Sequence, residues 1–313
     1  MIIILLLFSE EYNVALNTVS VSGISSGAAM ATQFHVAYSQ FVMGVGLVAG
    51  VPYYCAKGSS VTAINQCMEN PSRVDVPSLI AQANTYASQG RISATVNMQG
   101  DRVFIFHGAL DTAVLPYSST NIRQFYANFG TVIGDELTLQ AEHCQPTEDY
   151  GGECDQRGGE YIGRCGYDGA FHILDHIYGG LTKPSGSTPL NGEFYLFDQS
   201  EFFYVSDPNT WGMDSEGFAY VPSGCLANQG TCKLHIVYHG CSQNRQDLGD
   251  TFATKTGYNE VGELNNIIMI YPQTVKGLNN MYGCWDWWSY NLYNHYGELI
   301  VMIWVMLLTI LYH

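Results

Sequence analysis

Residues 19–40, VSVSGISSGAAMATQFHVAYSQ, constrain the fold more than any other part of this chain. Val and small polar side chains alternate over 18–22, as in a strand, while 28–39 carry neither Gly nor Pro, as in a helix. Between them Gly23-Ile24-Ser25-Ser26-Gly27 must turn the chain within a few residues. So tight a strand-to-helix turn strains its central residue, and glycine on both sides removes the Cβ atoms that would collide. This G-x-S-x-G elbow makes Ser25 a candidate nucleophile and the Ser26 amide a candidate oxyanion donor. In a chain with 33 Gly among 313 residues the pentapeptide is weak alone, and a structural serine is the alternative reading.

Further strands are expected at 42–50 and 102–108, at 136–140, and at 217–222, 233–241 and 266–273. Helices are expected at 117–130 and 169–178 and near 246–265, with loop and helix at 51–100 and a surface segment with short strands at 180–215. Apolar strands alternating with helices predict a mostly parallel α/β sheet flanked by helices, in one domain spanning 18–298.

A serine hydroxyl attacks only with a base beside it, so the carboxyl ends of later strands should supply an acid and a histidine. Asp111 follows the strand at 102–108, and His143 follows the strand at 136–140, which gives the order Ser, Asp, His of the α/β-hydrolases. Among nine histidines, His107 precedes the acid, and His172 and His176 lie one turn apart on a helix face of structural type. Asp101 comes before its strand instead of after it and is the weaker candidate.

Twelve Lys+Arg face 28 Asp+Glu, a net charge of −16 that repels phosphate backbones and argues against a nucleic-acid partner. With charged residues at only 13%, much of the surface is uncharged, which suits a neutral or insoluble substrate. Nine cysteines point to an oxidising compartment. Cys55–Cys67, Cys154–Cys165 and Cys225–Cys232 are read as loop disulfides, Cys241 and Cys284 remain available as a long-range pair, and Cys144 is left single. No C-x-x-C pairing offers a zinc site, and no metal or cofactor is expected. MIIILLLFSEEYN, within the segment 1–17, is a weak secretory signal. The apolar tail at 299–313 is shorter than the ~20 residues of a membrane span, and a buried helix, a glycolipid-anchor signal and a frame error all fit it.

The second oxyanion amide usually lies in an H-G loop after an early strand. Here the matching His239-Gly240-Cys241 follows the strand at 233–241, far downstream of Ser25. Moving 217–273 ahead of 18–140 restores the usual order, so the chain reads as a circular permutation opened just before its nucleophile strand.

These features resemble the secreted, single-domain polyhydroxybutyrate depolymerases of circularly permuted α/β-hydrolase type. The resemblance is carried by VSVSGISSGAAMATQFHVAYS, GLVAGVPYYCA, HGALDTAVLP, CGYDGAFHILDHIYGGL, LHIVYHGCSQN, IIMIYPQ and GCWDWW, and covers about residues 18–290. It implies a Ser25–His143–Asp111 triad, oxyanion donors at Ser26 and Cys241, substrate contact at Trp285, and all four cysteine pairs. Gly27-Ala28-Ala29-Met30 departs from the family's more usual Gly-Gly-Tyr-Met, and the apolar tail departs from its amphipathic last helix. The implied activity is that of a secreted, monomeric serine esterase cleaving poly-(R)-3-hydroxybutyrate or its oligomers. The competing readings are a feruloyl- or acetyl-esterase on the same fold and a non-catalytic polymer-binding protein.

Overall fold

Alternate side chains of the central strands go to opposite faces of one sheet, and that alternation builds two cores. A computed structural model describes residues 12–290 except 187, 204–206 and 229–230. The leader expected at 1–17 lies outside the described residues up to position 11, and the tail at 299–313 lies outside them entirely.

Strands β1 (Val14–Ile24), β2 (Val42–Val48), β3 (Arg102–Phe106) and β4 (Val132–Glu136) form one side of the main sheet. A small three-stranded sheet follows, from β5 (Gln145–Thr147), β6 (Gly152–Glu153) and β7 (Ile162–Arg164). Strands β8 (Glu193–Asp198), β9 (Glu216–Val221), β10 (Cys232–Tyr238) and β11 (Ile267–Tyr271) complete the main sheet, in the order β4-β3-β2-β1-β10-β11-β9-β8. Pairing is parallel from β4 to β11 and antiparallel at β9 and β8. The nucleophile strand β1 thus sits in mid-sheet between β2, which follows it, and β10, which comes far later in the chain. That placement is the permuted topology expected from the position of the H-G loop.

The described helices include α1 (Ser26–Ala37), α2 (Val76–Ser88), α3 (Tyr117–Ala127), α4 (Gly169–Tyr178) and α5 (Tyr258–Asn265). Val21, Val45, Leu47, Leu234, Ile236 and Ile268 face the core shared with α1, α2 and α3. Val48, Val237, Ile267 and Met269 face the core shared with α4 and α5. All twelve residues of α1 are buried, so this helix has no solvent-exposed face, and its Ala28, Ala29 and Ala31 keep it thin where it leaves the elbow.

Two expected elements differ. The strand placed at 136–140 lies instead at β4, 132–136. The alternation in ELTLQ imitates a strand, but Glu136 Oε1 accepts from the Thr138 amide at 2.7 Å and the Leu139 amide at 3.0 Å, which curls the chain away from the sheet. The helix expected near 246–265 is three short ones, Arg245–Leu248, Thr251–Lys255 and α5, interrupted at Gly249 and Gly257. The disulfides Cys55–Cys67, Cys154–Cys165, Cys225–Cys232 and Cys241–Cys284 are all formed. Cys144 is free and buried. Burial pushes its thiol pKa up to about 12, which keeps it protonated beside the Cys165 sulfur 3.9 Å away. Among the described residues no helix is long and apolar enough to cross a membrane.

Candidate active site

At the end of β1 the backbone of Ser25 adopts φ 57° and ψ −119°, and α1 starts at the next residue. A non-glycine residue there costs on the order of 1–3 kcal/mol, so the surroundings must enforce it. They do so by contact. A Cβ on Gly27 would lie 2.3 Å from the Tyr238 carbonyl oxygen and 2.4 Å from that of His239; one on Gly23 would lie 2.5 Å from the Gly27 carbonyl carbon. With both positions bare, β1, β10 and the start of α1 close on one another, and the Ser25 amide donates to Val48 O at 2.9 Å. The Ser25 hydroxyl has no hydrogen-bond partner among the described residues and lines a cavity together with His143.

The loop after β3 delivers the acid. Asp111 Oδ1 accepts from the amides of Ala113 at 2.8 Å and Val114 at 2.9 Å, which leaves Oδ2 to His143 Nδ1 at 2.8 Å. His107 approaches the same Oδ2 at 3.4 Å while its Nε2 lies 2.7 Å from Val114 O. Asp111 is 2% exposed. Burial pushes its carboxyl up, but the hydrogen bonds and charges of His107 and His143 outweigh that and hold it well below the usual carboxylate range. With Nδ1 committed to Asp111, Nε2 is the ring nitrogen of His143 left to take a proton.

Glu142 was not legible as a functional residue. Its buried carboxylate accepts from the Thr112 hydroxyl at 2.5 Å, the Thr112 amide at 3.2 Å and the His143 amide at 2.7 Å. It thereby ties the loop of the acid to the loop of the histidine. The only signal in the sequence was a Glu immediately before the candidate histidine, which is no pattern by itself.

Opposite these loops, the chain after β10 is held by Gln243. Its Oε1 accepts from the Gly240 amide at 2.7 Å, and its Nε2 donates to Glu160 O at 2.9 Å and Tyr161 O at 3.1 Å. The Cys241–Cys284 disulfide clamps the same turn. Neither the Ser26 nor the Cys241 amide donates a hydrogen bond among the described residues, and both residues line the cleft beside Ser25. Ser26 is buried and Cys241 half-buried, and a pair of unpaired N–H groups beside a candidate nucleophile is what a developing oxyanion requires.

The cleft has two arms that meet at Ser25, Met68, Cys241 and Tyr282. One, about 380 Å3, is mostly apolar and is walled by Val51, Ile64, Trp287 and Trp288. The other, about 390 Å3, is walled by His143, Arg157, Tyr161 and Gln243.

Trp285 corrects the expectation of substrate contact. It is 0% exposed, its ring lies edge-on to Tyr238 with centroids 4.8 Å apart, and it lines neither arm. Its amide instead donates to Ser26 Oγ at 3.3 Å, so it supports the start of α1 from below. Two and three residues on, Trp287 and Trp288 face the cleft. His172 stacks on Tyr167 and His176 lies 3.0 Å from Val132 O, both away from the cleft.

No family model matches the chain. It is 42% identical over 280 residues to the poly(3-hydroxybutyrate) depolymerase of Delftia acidovorans, covering 88% of this chain and 55% of that protein. The chain thus spans little more than half the length of that relative. It is 35% identical over 295 residues to the polyhydroxybutyrate depolymerase of Talaromyces funiculosus, covering 88% of this chain and 83% of that one. Among solved structures, a PHB depolymerase complexed with an R3HB trimer matches with a TM-score of 0.83 at 32% identity, over 96% of each chain. The PHB depolymerase of Penicillium funiculosum matches with a TM-score of 0.82 at 32% identity, over 95% of this chain and 96% of that one. On sequence and fold together, the chain belongs to the polyhydroxybutyrate depolymerase family.

Proposed function

We propose that this chain is a serine esterase that hydrolyses poly-(R)-3-hydroxybutyrate or its oligomers, acting as a monomer outside the cell, where its four disulfides persist. The observation that carries the reading is the 2.8 Å bond from His143 to a buried Asp111, with both loops opening onto the cleft of a strained Ser25. As Ser25 Oγ attacks the ester carbonyl, His143 Nε2 takes its proton, and Asp111 holds the ring and stabilises the imidazolium. The amides of Ser26 and Cys241 receive the negative charge that forms on the carbonyl oxygen. The imidazolium then protonates the departing alkoxide, and the acyl group stays on Ser25 until water, deprotonated by His143, releases it as a hydroxyacid. The apolar arm with Trp287 and Trp288 suits the methyl-bearing polyester chain, and among the described residues that line the two arms none is Asp or Glu, which suits a neutral ester.

Labelling with a fluorophosphonate tests the assignment. The native protein should take up one label, and peptide mapping should place it on Ser25. A native protein that stays unlabelled, or a label that survives in Ser25→Ala, would contradict the assignment.

A further inference from the structure

The two arms of the cleft differ in one charge. Among the described residues that line them, Arg157 is the one Lys or Arg, and it stands on the His143 side. It lies between β6 and β7, in the excursion clamped by Cys154–Cys165. One of its nitrogens is anchored: Nη1 donates to Thr112 O at 3.3 Å and to Thr112 Oγ1 at 3.4 Å. Thr112 is fixed in turn by its amide and hydroxyl bonds to the buried Glu142. No carboxylate among the described residues pairs with Arg157. Its Nε and Nη2 are therefore uncommitted at the edge of the cleft. Acidic side chains outnumber basic ones 28 to 12 in this chain, so a pinned arginine left without one marks a place where an anion is accepted.

The chemistry says which anion. The imidazolium of His143 must deliver its proton to the departing oxygen, so the leaving group lies in the arm that His143 lines. In a polyester of 3-hydroxy acids that leaving group is the alcohol side of the scissile bond, and it runs toward the carboxyl end of the polymer. When the bond cut is close to that end, the leaving group carries a free carboxylate. A planar guanidinium receives a carboxylate through two parallel hydrogen bonds.

Resting on the esterase reading above, we infer that Arg157 forms a carboxylate subsite in the leaving-group arm, which favours chains that end in a free carboxylate just beyond the scissile ester. Oligomers, which have many ends per unit mass, gain from this; the interior of a long chain does not.

The test compares the (R)-3-hydroxybutyrate trimer as its free acid with the same trimer capped as the primary amide, which is neutral and of equal size. At neutral pH and low salt the native protein should show a kcat/KM for the acid roughly three- to tenfold above that for the amide, mainly through KM, as an exposed charge-assisted pair allows. Arg157→Gln should bring that ratio close to one, Arg157→Lys should keep part of it, and high salt should erode it in the native protein. Because the readout is a ratio, a general loss of activity in a variant does not imitate the effect. Equal rates on acid and amide in the native protein, or a preference that survives Arg157→Gln, overturn the Arg157 subsite and leave the esterase reading standing. Hydrolysis of neither trimer overturns both.

Discussion

The two halves of the candidate site are held by different physics. On the elbow side, β1 and α1 are positioned by backbone against backbone, through two absent Cβ atoms and a strained Ser25, while Gln243 and a disulfide fix the turn after β10. On the acid–base side, Asp111 and His143 come from separate loops after β3 and β4, and side-chain bonds hold them together, with Glu142 as the tie. The elbow is thus part of the fold, and damage to it should cost structure and activity together. The acid–base loops are attached to the fold, and damage to them should cost activity first.

The sharpest way to break that contrast is Gly27→Ala. Its Cβ would meet the carbonyl oxygens of Tyr238, the last residue of β10, and of His239 just beyond it at 2.3 and 2.4 Å, and neither can move without displacing the strand or the oxyanion turn. The expected result is a loss of about 2–3 kcal/mol or more in unfolding free energy together with near-complete loss of esterase activity. Denaturant unfolding and a soluble-ester assay check both, and an active, normally stable Gly27→Ala would erase the distinction.

Glu142→Ala probes the other half. It should lower kcat about ten- to a hundredfold, because freeing the two loops moves His143 away from Ser25, while KM stays close to the native value. Far-UV circular dichroism should stay native. Glu142→Gln, which keeps one acceptor oxygen, should recover part of the loss. If both variants lower KM-dependent binding alone, Glu142 does not position the base.

Acid should separate the halves a third way. His235 in β10 is hydrogen-bonded to Ser20 and Ser22 of β1, and burial pushes its pKa down to about 3. A depressed histidine pKa means the unfolded chain binds the extra proton between about 6.5 and that value, so stability falls as pH drops below about 6.5. His239 adds to the same window, with burial pushing it down to about 4. Asp111, held below the usual carboxylate range, gives stability that is lost only when pH falls past the ordinary carboxylate pKa of about 4. The elbow side should therefore lose stability first, by up to about 2 kcal/mol at pH 5 for His235 alone. Urea midpoints between pH 7 and 5 should fall in the native protein, and less steeply in His235→Gln. A native profile whose slope His235→Gln leaves unchanged would show that this buried histidine does not carry the acid sensitivity.

What was legible follows the same divide. The elbow is a local pattern, so Gly23, Ser25 and Gly27 announce it within five residues, and the early position of Ser25 together with the late His239-Gly240-Cys241 reveals the permuted order of strands. Asp111 and His143 were legible because each follows an apolar strand, although β4 lies a few residues earlier than its alternation implied. Glu142 was not, because a tie between loops thirty residues apart leaves no periodic or spaced signature. Trp285 was misplaced for a related reason: in GCWDWW, adjacency does not say which tryptophan a turn buries. Contacts of Trp285 with Ser26 and Tyr238, both far away in the chain, settle which ring is buried, and they are long-range facts of packing.

The central claim is that Ser25 performs the attack on the ester. Hydrolysis of the (R)-3-hydroxybutyrate trimer by the native protein and by Ser25→Ala, at matched concentration and with matched thermal unfolding, tests it most directly. The native protein should release 3-hydroxybutyrate units and the variant should do so at a rate at least about a thousandfold lower, since a triad without its nucleophile keeps only binding and the oxyanion donors. A folded Ser25→Ala that hydrolyses the trimer at a rate near the native one would contradict it.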